Sequence, residues 1–272
     1  MSNTQTQPPT FEPPPGNPHP AVEDDSAPSR DSRPQGVTVK MPDLKPYITY
    51  AILGLTIFIY LLQMGSESLL GSDLPAYYGL KVNELIAAGQ LWRLITPVLL
   101  HGSALHIGFN MYALYLFGPS LEKHFGHMRF LALYLLAGFG GNVFSMMFTD
   151  APSLGSSTAI FGLMGAHGIF IYQNRELFGK QTARMALNQI MRIAGINLLI
   201  GLSPGIDNWG HVGGLIGGAL FAWFGGPILE VSGIYPNLRL EDQRTVDQVI
   251  QAAAIVGGFI GFLAAGALFL MN

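Results

Sequence analysis

Residues 209–229 read WGHVGGLIGGALFAWFGGPIL, and this stretch decides the fold class. It holds no Asp, Glu, Lys or Arg; His211 is its one ionisable side chain. A helix of this length, at about 1.5 Å per residue, crosses the roughly 30 Å hydrocarbon core of a bilayer. Gly213 and Gly217, and again Gly214 and Gly218, are four residues apart. Such small-residue seams let two membrane helices approach backbone to backbone. His211, Gly214 and Gly218 share one helical face, so the histidine belongs to a helix interface.

Six further apolar stretches of similar size lie outward from this one, at 46–64, 105–121, 128–148, 157–173, 185–202 and 249–271. The expected fold is an all-α polytopic membrane protein with seven spans. The fourth stretch opens with Ser156, Ser157 and Thr158 and is Gly-rich, which suits a helix buried among others better than one facing lipid. Composition agrees: 49% of residues are hydrophobic, only 11% are charged, and mean hydropathy is +0.35. Soluble domains carry about a quarter charged residues. With no cysteine, disulfides and thiolate metal sites are excluded. No metal or other cofactor is expected, and no basic block points to nucleic acid.

The first 46 residues contain eleven of the eighteen prolines and little that could form a core. They read as a disordered, Pro-rich tail, with a membrane domain over 47–272. Pro13, Pro14 and Pro15 would suit a partner that binds polyproline II, although a plain tail is the simpler reading. Lys and Arg set the orientation. Arg30, Arg33, Lys40, Lys45, Lys123, Arg129, Arg175, Lys180, Arg184, Arg239 and Arg244 fall on one side if the spans alternate. Lys81 and Arg93 fall on the other, and Arg192 lies within the fifth span. The positive-inside rule then puts the N-terminus in the cytoplasm. The connection 65–104 mixes Tyr77, Tyr78, Trp92 and several leucines with few charges, as short helices lying at the interface would.

Polar groups inside spans are costly, so their placement is informative. His106 and Asn110 are one helical turn apart on one face, and both side chains can donate hydrogen bonds. Interhelical hydrogen bonding is their other use. Gly155-Ser156-Ser157-Thr158 sits where a loop enters a helix. There a serine can be a nucleophile beside free backbone N–H groups, or simply a helix cap. His211 can be a base or a packed histidine. Trp92-Arg93 alone reads as interfacial anchoring. Taken together, a nucleophile, a base and two oxyanion donors on three spans near the outer side fill the roles of a hydrolytic site.

The order Trp92-Arg93, His101, His106-x-x-x-Asn110, Gly155-x-Ser157, His211-x-x-Gly214-x-x-x-Gly218 resembles the rhomboid family of intramembrane serine proteases over roughly residues 47–230. The resemblance implies a six-helix core, here with a C-terminal seventh helix. It implies a Ser157–His211 dyad without a third acid. It implies an oxyanion hole of His106, Asn110 and the Ser157 N–H, and an aromatic ring, Phe161, beside the catalytic histidine. Trp92 and Arg93 would brace the outer loop, and single-span membrane proteins would be the substrates. Thr158 departs from the family's usual Gly after the nucleophile, and its β-branched side chain is expected to press on the oxyanion pocket. An inactive rhomboid-like protein that binds membrane clients is the alternative. A transporter lined by His106, Asn110 and His211 is disfavoured by the lack of central carboxylates in spans two to six and of internal repeats. The expected location is a bacterial cytoplasmic membrane.

Overall fold

The computed structural model describes residues 44–271. The disordered reading of the tail therefore falls almost wholly outside the described residues. Ten α-helices follow: α1 (Tyr47–Leu70), α2 (Leu74–Gly79), α3 (Asn83–Ala87), α4 (Ala104–Phe125), α5 (His127–Phe148), α6 (Ser157–Gln173), α7 (Arg175–Phe178), α8 (Lys180–Ile200), α9 (Asn208–Gly225) and α10 (Val246–Met271). Two 3₁₀ turns, Leu91–Leu94 and Thr96–Leu99, precede α4, and a hairpin of β1 (Leu229–Ser232) and β2 (Arg239–Asp242) precedes α10. The seven long helices match the seven expected spans.

Helices α5, α6 and α9 form the centre. Glycine permits their close approach. A Cβ on Gly214 would fall on the Thr158 carbonyl, and one on Gly218 would fall on the Gly162 carbonyl. Helix α4 packs on α6, and α1 lies against α4. Helix α10 buries Ala252, Val256, Ile260 and Ala264, four residues apart along one stripe, against α5 and α9. The other faces of α1 and α10 expose Phe58, Leu61, Phe262 and Phe269, as helices solvated by lipid do. Three helices, α1, α5 and α10, are each long and apolar enough to span a membrane by length and composition alone.

Helix ends follow local chemistry. Gly71 (φ 71°) stops α1 in the left-handed region, which glycine adopts without steric cost. The Ser103 hydroxyl caps α4 by accepting from His106 N at 3.2 Å, and Asp207 Oδ1 caps α9 by accepting from Gly210 N at 2.9 Å. At the opposite end of the bundle, Glu122 of α4 accepts from Ile48 N (2.8 Å), Thr49 N (2.7 Å) and Thr49 Oγ1 (2.6 Å). It thereby satisfies the first turn of α1, where Pro46 supplies no cap.

Two expectations need correction. The first span runs on to Leu70 rather than ending near 64. The sixth stops at Gly225 rather than 229, because Pro227 cannot donate to a helix and Leu229 enters β1. The antiparallel hairpin, pairing Leu229 with Asp242 and Ser232 with Arg239, was not expected. Its anchors are distant in sequence. Asn174 Oδ1 accepts from Leu229 N at 2.7 Å, and Arg129 donates to Asp242 at 2.7 Å.

Candidate active site

The loop between α1 and α4 is built on buried cations. Arg93 is 2% exposed. It donates to the carbonyls of Leu80 (2.7 Å) and Tyr77 (2.8 Å) and to Gln90 Oε1 (2.8 Å). Trp92 Nε1 donates to Tyr78 O at 2.9 Å. Tyr77, Tyr78 and the turns around them are thus stapled into one block, as the bracing role implies. Lys81, which sequence reading used only for orientation, is fully buried. Its Nζ donates to Thr149 O (2.8 Å) and Ala151 O (3.0 Å), and its backbone pairs with Ser153. Burial pushes its ammonium below the ordinary lysine value, against the opposing pull of Asp207, Asp150 and Glu84. Asn83 adds bonds to Met146 O and Thr149 O, both at 3.1 Å. The segment 149–155 is therefore tied down before it reaches the serine. No local sequence signal points to this, because the partners are backbone carbonyls more than sixty positions away.

Gly155 turns the chain into α6 at φ 132°, and a Cβ there would come within 2.8 Å of His106 Nε2. Both facts demand glycine. Ser156 is the N-cap position but makes no capping bond. Its buried hydroxyl lies 3.3 Å from His101 Nε2. Ser157, the first residue of α6, does not cap either. Its Oγ lies 2.9 Å from His211 Nε2. Phe161, one turn along α6, stacks on the His211 ring with centroids 4.3 Å apart and planes 10° apart. His211 is 8% exposed, and its Nδ1 has no hydrogen-bond partner.

His106 rises beside this pair, its ring edge-on to His101 at 5.0 Å. Asn110 is buried one turn below, and its Nδ2 is free of any partner. Both line one groove with Ser157 and His211. The N–H groups of Ser157, Thr158 and Ala159, at the start of α6, have no acceptor within the helix, and the first intrahelical bond is Ile160 N–H to Ser156 O at 3.0 Å. The Cβ side of Thr158 packs toward Gly141 and Gly210. Two glycines thus accommodate the β-branched residue, which also lines a cleft with Ser157 and His211.

Two openings reach Ser157 and His211. A cleft of about 600 Å³ is lined by Gly102, Ser103, Ser153, Leu154, Ser157 and His211, among others. A second, apolar groove of about 580 Å³ runs between α4 and α8 and is lined by Phe109, Tyr112, Leu116, Phe161, Ile193 and Ile200, among others.

A Rhomboid domain model matches residues 88–228, about half of the chain. The chain belongs to the rhomboid family. It is an all-α polytopic membrane protein with the six-helix rhomboid core and a seventh helix, α10. Rhomboid protease GluP of Bacillus subtilis (strain 168) is 40% identical over 175 residues, covering 64% of this chain and 34% of GluP. RHOMBOID-like protein 9, chloroplastic, of Arabidopsis thaliana is 34% identical over 159 residues, covering 58% and 37% of the two chains. Inactive RHOMBOID-like protein 8 of the same plant is 34% identical over 146 residues, covering 53% and 41%. The chain spans about a third to two fifths of the length of these relatives. Because one relative is named inactive, membership of the rhomboid family does not by itself carry catalysis.

His101 links this rhomboid site to stability. Its N–H donates to Gln63 Oε1 at 3.0 Å, and Gln63 Nε2 donates back to His101 O at 3.3 Å. Burial first, and then the neighbouring His106, push His101 from an ordinary 6.5 down to about 3. Between those values the unfolded chain binds the proton and the folded one does not, so stability rises with pH across that window. Thermal unfolding in detergent is therefore expected to shift to lower temperature as pH falls from 6.5 toward 3, with a flatter dependence in His101→Gln. Equal slopes for the two proteins would refute the assignment.

Proposed function

We propose that this chain is an intramembrane serine endopeptidase that cuts single-span membrane proteins with a Ser157–His211 dyad. The 2.9 Å contact between Ser157 Oγ and His211 Nε2 carries the reading. Neutral His211 accepts the serine proton as Oγ attacks the peptide carbonyl, then delivers it to the leaving amine as the C–N bond breaks. Water hydrolyses the acyl-enzyme by the same route in reverse. The Asn110 side-chain amide, His106 and the Ser157 N–H are donors suited to the oxyanion. Phe161 holds the plane of the imidazole by stacking. No carboxylate holds its Nδ1 among the described residues: Asp207 Oδ1 caps α9, and neither Asp207 Oδ2 nor His211 Nδ1 has a hydrogen-bond partner there.

The groove between α4 and α8 supports lateral entry of a substrate segment from lipid, while the other opening supplies water. Lys123, Arg129, Arg175, Lys180, Arg184, Arg239 and Arg244 cluster at the helix ends away from Ser157. This supports a cytoplasmic N-terminus, with residues 1–46 as a cytoplasmic tail and 47–272 as the membrane domain. The bacterial relative GluP supports a bacterial cytoplasmic membrane as the location.

A fluorophosphonate probe tests the reading directly. Detergent-purified full chain is expected to be labelled, Ser156→Ala to be labelled, and Ser157→Ala to stay unlabelled. An unlabelled wild type that also leaves single-span substrates intact would overturn it, in favour of a client-binding relative without activity.

A further inference from the structure

Helix α8 has 21 residues, so at 1.5 Å each it is about 30 Å long, the thickness of the hydrocarbon core. Arg192 lies roughly 18 Å from its Lys180 end and roughly 12 Å from its Ile200 end, close to the middle. The side chains of Arg184, Asn188, Gln189 and Arg192 are exposed and have no hydrogen-bond or ion-pair partner among the described residues. Arg184, Asn188 and Arg192 share one face by their four-residue spacing. Helix α8 buries only Ala183 and Ala194, and it packs mainly on α6, so this polar face points away from the bundle. An arginine in mid-membrane is costly unless it is paired, and snorkelling relieves mainly those near helix ends.

Elimination identifies the missing partner. Lipid phosphates lie at the membrane surfaces, too far from a midplane guanidinium for ordinary pairing. Among the described residues, the helices of a second copy of this chain supply no mid-span counter-charge either. The carboxylates of its long helices, Glu67, Glu122 and Asp247, all sit within the first or last turn of α1, α4 and α10. We infer that the Arg184–Asn188–Arg192 face of α8 docks another protein's membrane-spanning helix that carries a carboxylate near its middle, with Arg192 as the counter-charge. Asn188 and Gln189, about one turn toward the Lys180 end, offer amide hydrogen bonds to the same helix. The neighbouring face of α8, through Ile193, Asn197 and Ile200, borders the lateral groove, so the docked helix would lie beside the groove's mouth. The inference stands whether or not that helix is cleaved.

The test uses the full chain in vesicles of zwitterionic lipid at about pH 8. The probes are two synthetic Leu/Ala-rich single-span peptides that differ only in a central Glu or Leu, with association read by energy transfer. Wild type is expected to bind the Glu peptide at least about tenfold more tightly than the Leu peptide, and Arg192→Leu to reduce that ratio to about twofold or less. Arg192→Lys should keep part of the preference. Because Arg192 has no partner among the described residues, its removal should not lower the unfolding midpoint, which is measured alongside. Equal binding of the two peptides, or an unchanged ratio in Arg192→Leu, would overturn the inference. So would a preference that vanishes when anionic lipid is added, since a headgroup would then be the partner.

Discussion

Ser157→Ala and His211→Ala are each expected to lower kcat/KM on a single-span substrate by about 10⁴ or more, and the double variant to be no worse than either single one. The two groups act as one unit: Oγ without its base keeps its proton, and the base without Oγ has nothing to activate. Additive losses would show that each residue acts separately and would sink the dyad. Ser156→Ala, one position away, is expected to stay within about tenfold of wild type, because its hydroxyl is spent on a 3.3 Å contact with His101 outside the reacting pair. The pH profile should follow the same logic. Protonated His211 cannot accept the serine proton, so kcat/KM is expected to rise with pH through the titration of that histidine and then level off. Quench-flow or gel-based cleavage assays in one detergent suffice for all these comparisons.

Gly214→Val is expected to be the most damaging substitution to the fold. A side chain there meets the backbone carbonyl of Thr158, which no rotamer change can move aside. Helices α6 and α9 must separate, at a cost of about 3 kcal/mol or more. Ser157 and His211 stand on those two helices, so activity should be lost together with stability. Gly258→Ala and Gly261→Ala on α10 are the controls, because each Cβ would enter open space. Unfolding midpoints of the three variants in mild detergent settle the matter: if Gly214→Val unfolds with the controls, the close-packed seam is not what holds the site.

Much of this architecture was legible without coordinates, for physical reasons. A bilayer allows backbone groups few arrangements, so length and hydropathy alone located seven helices, and the Gly213, Gly214, Gly217 and Gly218 seam announced a close helix contact. Spacing placed His106 with Asn110, and Ser157 with Phe161, because helical neighbours are separated by one turn. The sequence was silent where connecting segments fold back on distant parts of the chain. Lys81 and Asn83 grip carbonyls of the 146–151 segment, and Asn174 and Arg129 pin a hairpin that no alternation pattern suggested. The packing around Thr158 was equally illegible, because the space beside it belongs to Gly141 and Gly210, on two other helices.

The sequence by itself determined the membrane class, the seven long helices and the candidate chemistry, since these depend on periodicity, charge and residue type within single segments. Only the tertiary structure decided that Ser157 Oγ and His211 Nε2 stand 2.9 Å apart, that Phe161 lies flat on the imidazole, and that Arg192 finds no counter-charge among the described residues. Those are relations between helices, and their distances arise from how whole faces pack rather than from any local pattern.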